Sequence, residues 1–136
     1  MYEAFALLRK ETDRALLPLG MTVAQTYVLA VLDVVERPLP VTELARVMLQ
    51  ESPSVTRLVD RMSARGLVER LDDPTDRRRS LVAATDKGKK VLEEVRRPAT
   101  ETSNEAFGAL TARERATLKR LLRKFTDAAL SRFGVA

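Results

Sequence analysis

Arginine residues are concentrated in one predicted helix and in the loop that follows it. Arg57 and Arg61 lie four residues apart, so both project from one face of that helix. The loop then carries three consecutive arginines, Arg77, Arg78 and Arg79. Guanidinium groups form paired hydrogen bonds with phosphates and with the O6 and N7 atoms of guanine. These residue types at this spacing indicate a surface that binds nucleic acid.

The loop at residues 72–79 is neutral overall, because three acidic residues precede its three arginines. The order of these charges is more informative than their sum. Asp76 lies two residues before Arg78, and we predict that its carboxylate bonds the Arg78 guanidinium and holds it outward. An arginine held in this way at a hairpin tip can enter the minor groove of DNA, where the potential is most negative over A·T-rich sequence.

The predicted helix before the loop has one apolar and one polar face. Ser52 followed by Pro53 is typical of a helix start, with Ser52 as the N-cap. Apolar residues at helical spacing predict a buried stripe of Val55, Leu58, Val59 and Met62. The opposite face consists of Ser54, Thr56, Arg57, Asp60, Arg61 and Ala64.

Two interpretations of this polar face are open. It is either an ordinary solvated surface or a surface that reads bases, on which the small Ser54 and Thr56 allow close approach to DNA. The face alone favours neither interpretation, and the adjoining arginine loop shifts the balance toward DNA. The predicted DNA-binding residues are Thr42, Ser52, Ser54, Val55, Thr56, Arg57, Arg61, Asp76, Arg77, Arg78 and Arg79.

Capping signals and apolar periodicity predict the elements that position these side chains. Thr22 and Gln25 form a capping box for the second helix, and Thr42 caps the third. A turn of about three residues then leads into the arginine-bearing helix, which is the helix-turn-helix spacing. We predict helices over residues 2–17, 23–36, 42–50, 53–65, 86–97, 99–109 and from 112 onward, and strands at 39–41, 67–71 and 80–84.

Three further signals mark boundaries in the second half of the chain. Gly66 is a helix C-cap of the left-handed type, and Thr85 caps the helix after the hairpin. Pro98 is expected to kink or break that helix, because proline lacks an N–H and clashes with the preceding turn. Thr111 and Glu114 form a second capping box, which opens the last helix.

The composition excludes several classes of site. With no Cys and no His, the chain has no disulfide, thiol sensor, thiolate nucleophile or imidazole metal site. The carboxylates, lysines and hydroxyls form no catalytic motif, so we expect no enzyme activity and no cofactor. The formal charge of +5 permits a polyanionic partner. The first residues contain neither a signal peptide nor a membrane span, which indicates a cytoplasmic protein.

The segment from the second predicted helix to the hairpin resembles the MarR family of bacterial transcription regulators. Asp76 to Arg78 match the Asp-x-Arg pattern of the family's wing, which is followed after five residues by Leu-Thr and then by Gly. The corresponding residues are Ala84, Thr85 and Gly88, so the leucine alone differs. TVAQTYVLAVL resembles the family's second helix, and TELARVMLQESPSVTRLVDRMSARGLVER resembles its reading head. The resemblance covers most of the chain.

This resemblance implies a mainly α fold with a small β-wing and a single MarR-like domain. Residues 22–88 would form the winged helix-turn-helix, and residues 1–20 and 89–136 the dimerisation helices. The helix from Ser54 to Arg65 would lie in the major groove and Arg78 in the minor groove. The implied function is transcriptional regulation, and more often repression, by a homodimer bound to a pseudo-palindromic double-stranded DNA operator.

The first and last predicted helices have apolar stripes that are wide for a small domain. They either pack on each other within a monomer or interlock with a second copy of the chain. We favour the homodimer, because two reading heads can recognise a palindrome that one head cannot. The predicted dimerisation residues are Phe5, Leu8, Leu118, Leu121, Leu122, Phe125 and Phe133.

Members of the family often bind small aromatic or phenolic anions between the dimer helices and the reading head. The resemblance makes Thr12, Thr26 and Tyr27 candidate lining residues, and ordinary packing or capping is the alternative for each. A winged helix that serves only as a protein-interaction module is the alternative function, because a fold does not dictate its use. The operator, the regulated genes, the sign of regulation and the effector are not encoded in any visible motif.

Overall fold

The part of the chain that the structure describes is mainly helical, with three short strands. This computed structural model describes residues 2–132, apart from the side chains at positions 4, 5, 8, 98–106, 126 and 129–132. A short 3-10 turn, Leu17–Leu19, follows the first helix. The elements are α1 Tyr2–Leu16, α2 Val23–Val35, β1 Leu39–Pro40, α3 Val41–Val47, α4 Ser52–Ala64, β2 Val68–Asp72, β3 Ser80–Ala84, α5 Asp86–Ala106 and α6 Ala112–Arg132.

The three strands form one antiparallel sheet in the order β1-β3-β2. Leu39 of β1 and Arg70 of β2 both pair with Val82, which places β3 in the centre. The predicted edge strand before α3 is therefore confirmed. β2 and β3 form the predicted hairpin, the wing, and their ends meet where Asp72 pairs with Ser80.

One apolar core joins α2, α3, α4, the sheet and the first part of α5. The predicted stripe of α4 is confirmed, since all four of its members are buried. The C-terminal end of α2 is not covered by this core, and Val34 exposes 78 % of its surface. The largest fully buried side chains are Leu29, Leu39, Leu44, Met62, Leu67, Val28, Val55, Val59, Val68, Val82 and Val95.

Both predicted capping boxes are confirmed. The backbone N–H of Gln25 donates to Thr22 Oγ1, and the backbone N–H of Thr22 donates to Gln25 Oε1, each at 3.2 Å. At the start of α6, the backbone N–H of Thr111 donates to Glu114 Oε2 at 2.7 Å. The backbone and hydroxyl of Thr111 both hydrogen-bond this carboxylate, which lowers the pKa of Glu114.

Two predicted caps are wrong, by two residues at α3 and by one residue at α4. α3 begins at Val41 with Pro40 as its N-cap, so Thr42 lies in the first turn and does not cap the helix. α4 begins at Ser52 with Glu51 as its N-cap. Pro40 and Glu51 both have an extended backbone, and neither helix start has a side-chain hydrogen bond from its N-cap. Pro53 remains in the first turn, where its missing N–H needs no partner.

The start of α5 is joined closely to the end of α4. The Thr85 hydroxyl donates to the carbonyl of Gly66 at 2.6 Å and accepts from the backbone N–H of Gly88 at 3.0 Å, which confirms the predicted cap. A Cβ on Gly88 would lie 2.0 Å from the carbonyl oxygen of Leu67. Only glycine therefore allows α5 to begin so close to the backbone that enters β2.

A kink or a break was expected at Pro98; the break is wrong, because α5 is helical from Asp86 to Ala106, and the kink stays a prediction. Proline removes only one backbone donor, and the turns before it already propagate the helix.

The chain divides into two compact units, one ending at Ala99 and the other beginning at Thr100. No single helix among the described residues is long and apolar enough to cross a membrane, although the bent pair Arg9–Leu19 and Val23–Val35 has the required length and composition.

Candidate nucleic-acid interface

The polar face of α4 is exposed at the positions where the sequence predicts DNA contacts. Ser54, Arg57 and Arg61 are exposed, and Thr56 is half-buried. The Thr56 hydroxyl donates to the carbonyl of Ser52 at 2.9 Å, so it can accept but not donate a hydrogen bond in an outside contact. The helix thus presents two arginines beside small side chains, which suits close approach to a groove.

Three other predicted contacts occupy different environments. Val55 is completely buried, so the prediction that it contacts DNA is wrong; its place in the apolar stripe excludes it from the outer face. Ser52 is half-buried at the first turn of α4, and Thr42 is exposed in the first turn of α3. These two residues remain predicted contacts.

The wing loop is built from two successive turns. The backbone N–H of Asp76 donates to the carbonyl of Asp73 at 3.3 Å, and that of Arg79 donates to the carbonyl of Asp76 at 2.9 Å. The loop is closed where the backbone N–H of Asp73 donates to the carbonyl of Arg79 at 3.2 Å. This narrow loop leaves the side chains of Arg77 and Arg78 exposed at its tip.

Asp76 acts on the backbone of Arg78. Its Oδ1 accepts the backbone N–H of Arg78 at 2.9 Å, so the predicted bond to the Arg78 guanidinium is wrong. A short carboxylate reaches the N–H two residues later more readily than the end of a long side chain, which is the Asx-turn arrangement. Asp76 therefore fixes the position of the Arg78 backbone and leaves the Arg78 guanidinium available for an outside contact.

Asp73 is a wing residue that the sequence interpretation missed. It is buried with 7 % of its surface exposed, and its Oδ1 accepts both the backbone N–H of Thr75 at 2.8 Å and the Thr75 hydroxyl at 2.6 Å. These two hydrogen bonds, helped by the Arg79 guanidinium 3.9 Å from Oδ2, lower the pKa of Asp73. The Asp-Pro order at residues 73 and 74 is a turn signal that could have identified it.

Arg79 thus differs from its two neighbours in the arginine run. Its Nε lies 3.9 Å from the buried carboxylate of Asp73, and its backbone N–H and carbonyl both bond within the loop. Arg79 is exposed like Arg77 and Arg78, but it alone of the three has an ion pair within the loop. The three consecutive arginines therefore divide into one structural residue and two that are available to a partner.

An ion pair joins α4 to both strands of the wing. Arg70 of β2 donates from Nη2 to Asp60 Oδ1 at 2.7 Å and from Nη1 to Ser80 Oγ of β3 at 2.9 Å. Asp60 lies on the polar face of α4 between Arg57 and Arg61. The arginines of the helix and those of the wing are thereby held in one geometric arrangement.

Net charge is distributed unevenly along the chain. Residues 22–88 contain ten Lys and Arg and ten Asp and Glu, so the winged helix-turn-helix is neutral. α6 contains seven Lys and Arg against two Asp and Glu, a surplus equal to the formal charge of +5 for the whole chain. Attraction of the winged segment to a polyanion must therefore come from the placement of individual arginines.

A cleft of about 770 Å³ lies beside the start of α2. Two of the three predicted ligand residues, Thr12 and Tyr27, line it, and the Tyr27 hydroxyl donates to the carbonyl of Val47 at 3.5 Å. Thr26 does not line the cleft; its hydroxyl is enclosed and has no hydrogen-bond partner among the described residues. The cleft is lined by Arg9, Thr12, Asp13, Thr22, Val23, Ala24, Tyr27, Met48 and Gln50.

The described part of the predicted dimerisation set lies on α6. Leu118 is half-buried, whereas Leu121, Leu122 and Phe125 expose 50 %, 54 % and 73 % of their surfaces. The side chains of Phe5 and Leu8, and the whole of Phe133, lie outside the described residues. α6 therefore carries an apolar stripe that its own unit leaves open.

Comparison with known proteins gives consistent matches. The model of the MarR family matches residues 19–79. The multiple antibiotic resistance protein MarR of Salmonella typhimurium is 37 % identical over 108 residues, which cover 79 % of this chain and 74 % of that protein.

Two solved structures extend the similarity to the fold. A mutant of MarR from E. coli, complexed with operator DNA, superimposes with a TM-score of 0.82 at 31 % identity and covers 91 % of this chain and 89 % of its own. BpsR of Bordetella bronchiseptica, whose DNA binding is regulated by 6-hydroxynicotinic acid, has a TM-score of 0.83 at 27 % identity and covers 93 % and 89 %.

Proposed function

This chain belongs to the MarR family. On that premise we propose that it is a transcriptional regulator that binds double-stranded DNA in a sequence-specific manner. The observation that carries the proposal is the joint presentation of arginines by α4 and the wing. Asp60 and Arg70 connect the two elements at 2.7 Å. One rigid reading head then places Arg57 and Arg61 in the major groove and Arg78 in the adjacent minor groove.

The regulator acts as a homodimer on a pseudo-palindromic operator. A single neutral head would bind weakly, since non-specific affinity depends on phosphate contacts and falls steeply with salt. Two heads about 34 Å apart read successive major grooves on one side of B-DNA. The exposed apolar residues of α6, together with α1, supply the dimer contact, which agrees with the width of the α6 stripe.

Occupation of the operator represses transcription, and a small aromatic or phenolic effector releases the DNA. The cleft beside α2 offers the site for that ligand, because Tyr27 provides an aromatic wall and Arg9 a positive charge for an anion. Its position between α1 and the helix-turn-helix lets a ligand alter the spacing of the two heads. The protein is cytoplasmic, has no enzymatic step and requires no cofactor.

Selection of bound sequences from a random double-stranded DNA pool tests this proposal. We expect an enriched palindrome whose half-sites are separated by about one helical turn. Repeating the selection with benzoate or with 6-hydroxynicotinic acid tests the effector. Recovery of no enriched sequence would contradict the proposal, and an enriched palindrome unaffected by either acid would leave a regulator that does not respond to these ligands.

A protein-interaction module is the second candidate, and the neutral charge of residues 22–88 favours it. Such a module needs no exposed arginine at the tip of a wing. Arg57→Met and Arg78→Ala therefore distinguish the candidates. If neither variant changes the binding of any DNA while a protein partner is retained, the module is the correct function.

A further inference from the structure

Arg65, at the end of α4, reaches away from the polar face of that helix. Its Nη1 donates to the carbonyl of Gly20 at 2.8 Å and to Gln25 Oε1 at 3.1 Å. Gly20 follows α1, and Gln25 belongs to the first turn of α2. One guanidinium therefore connects the candidate reading helix to residues 20–25, which we call the α1–α2 corner.

The α1–α2 corner has acceptors arranged to receive this guanidinium. Gly20 has a φ of +61°, a left-handed conformation that follows the 3-10 turn and directs its carbonyl outward. Gln25 is buried, and its Oε1 also accepts the backbone N–H of Thr22. A Cβ on Gly20 would lie 3.4 Å from Arg65 Nη2, so the chain passes close to the guanidinium.

A second contact holds the same end of α4. Lys87 Nζ donates to the carbonyl of Arg65 at 2.7 Å, which satisfies a free carbonyl of the last turn. The backbone and the side chain of Arg65 are therefore fixed by different elements, α5 and the α1–α2 corner. Together with the Asp60–Arg70 ion pair, these contacts restrain the orientation of the helix.

We propose that Arg65 is a positioning residue for DNA recognition, which sets the orientation of α4 without itself contacting DNA. This inference rests on the proposed function. α4 has 13 residues and is roughly 20 Å long at 1.5 Å per residue, so a small rotation at its end displaces the arginines of its face. Such a displacement weakens base contacts, because hydrogen bonds depend steeply on distance and angle.

Salt dependence separates a positioning residue from a phosphate contact. We expect Arg65→Met to lower operator affinity about 2- to 30-fold, the range for residues that act through a neighbouring element. The slope of log affinity against log salt should remain that of the wild type. Arg61→Met is the matched control on the same helix, because it removes a proposed direct contact. It should lower operator affinity and, since a bound guanidinium also displaces counterions, make the salt slope shallower by up to about 1. A reduced slope for Arg65→Met would make Arg65 a direct contact and overturn the inference.

A double-mutant cycle identifies the partner of Arg65. Gln25→Leu removes one of the two acceptors of Arg65 Nη1 and leaves the Gly20 carbonyl, so its effect on operator affinity should be only partly additive with that of Arg65→Met. Glu114→Leu removes the residue that corresponds to Gln25 in the capping box of α6, and its effect should add to that of Arg65→Met. Arg65→Lys, which keeps the charge and one donor group, should restore part of the affinity. Fully additive effects of Gln25→Leu and Arg65→Met would overturn the assignment of Gln25 as a partner through which Arg65 acts on DNA binding.

Hydrogen exchange in the free protein supplies a test without DNA. Arg65→Met should accelerate amide exchange at residues 61–66, since the last turn loses one of its two attachments. Faster exchange with wild-type operator affinity would overturn the inference and leave the proposed function intact. If the wild-type protein itself selects no operator, the proposed function fails instead.

Discussion

In the wing, Asp73 and Asp76 each accept the backbone N–H of the residue two positions later, Thr75 and Arg78 respectively. Two such turns in succession give a short loop with little freedom at its tip. The carboxylates therefore shape the backbone, and the guanidinium of Arg78 stays available for an outside contact. At this scale the wing depends on its acids as much as on its arginines.

Removal of the guanidinium at the wing tip tests the minor-groove contact. Arg78→Ala should weaken binding to the selected operator by about 1–3 kcal/mol, because a well-placed base-edge or groove contact has that value. The hydrogen bond from its backbone N–H to Asp76 is retained. Gel-shift titration measures the change, and an affinity equal to that of the wild type would remove Arg78 from the DNA interface.

Asp73 should make the stability of the wing sensitive to acid. Its folded-state pKa is below the ordinary value of 3.8, so its stabilising contribution is present above that value and is lost as the pH falls through the lower folded pKa. Asp73→Asn should therefore be less stable than the wild type at neutral pH. The difference in unfolding free energy should shrink below about pH 4, as measured by denaturant titration. A difference that is constant with pH would contradict this assignment.

At the scale of elements, the reading head is held by contacts at three junctions. Asp60 and Arg70 join α4 to the wing, Thr85 joins the end of α4 to α5, and Arg65 joins α4 to the α1–α2 corner. The residues joined are 10, 19 and 45 positions apart in the chain, so none of the junctions lies within a single helix. The orientation of α4 is therefore a property of the assembled unit rather than of the helix itself.

The junction between α5 and β2 makes a clear stability prediction. Gly88→Ala should destabilise the fold by roughly 1–3 kcal/mol, since its methyl group would meet the Leu67 carbonyl and force the backbone apart. Gly66→Ala provides the comparison, because its added Cβ meets nothing closer than 3.8 Å and its cost arises only from a φ of +70°. Thermal unfolding measures both, and a smaller effect at Gly88 than at Gly66 would contradict the steric explanation.

At the scale of the whole molecule, the charge surplus lies on the same helix as an exposed apolar stripe. The winged helix-turn-helix is neutral, whereas α6 carries the entire charge surplus together with exposed Leu121, Leu122 and Phe125. Exposed apolar side chains grouped on one helix are typical of an interface. The proposed homodimer would cover this stripe and leave the basic residues of α6 outside it.

Light scattering tests the dimer directly. The wild-type protein should have twice the chain mass of 15.2 kDa, and the combined variant Leu121→Glu, Leu122→Glu should have the mass of one chain, because buried carboxylates disfavour the interface. Val34→Glu is the matched control, since Val34 is an exposed apolar residue on α2. A wild-type monomer at micromolar concentration would contradict the two-headed mechanism.

Much of the architecture follows from local signals. The capping boxes at Thr22 and Thr111, the apolar stripe of α4 and the hairpin from β2 to β3 were all predictable, because each depends on residues within one or two turns. The predicted caps Thr42 and Ser52 were wrong by two residues and one residue, because an extended residue without a side-chain hydrogen bond precedes each helix. The break expected at Pro98 was wrong, since a helix that is already propagating tolerates the loss of one donor.

The sequence by itself determined the identity of the reading head, because residue types at fixed local spacing encode a helix, a turn and an arginine-bearing hairpin. Only the tertiary structure decided how the charged side chains are used. It buried Asp73, directed Asp76 to a backbone N–H, and brought Arg65 to the carbonyl of Gly20. The physical reason is that a hydrogen bond depends on distances of a few tenths of an ångström between groups whose positions local periodicity does not specify.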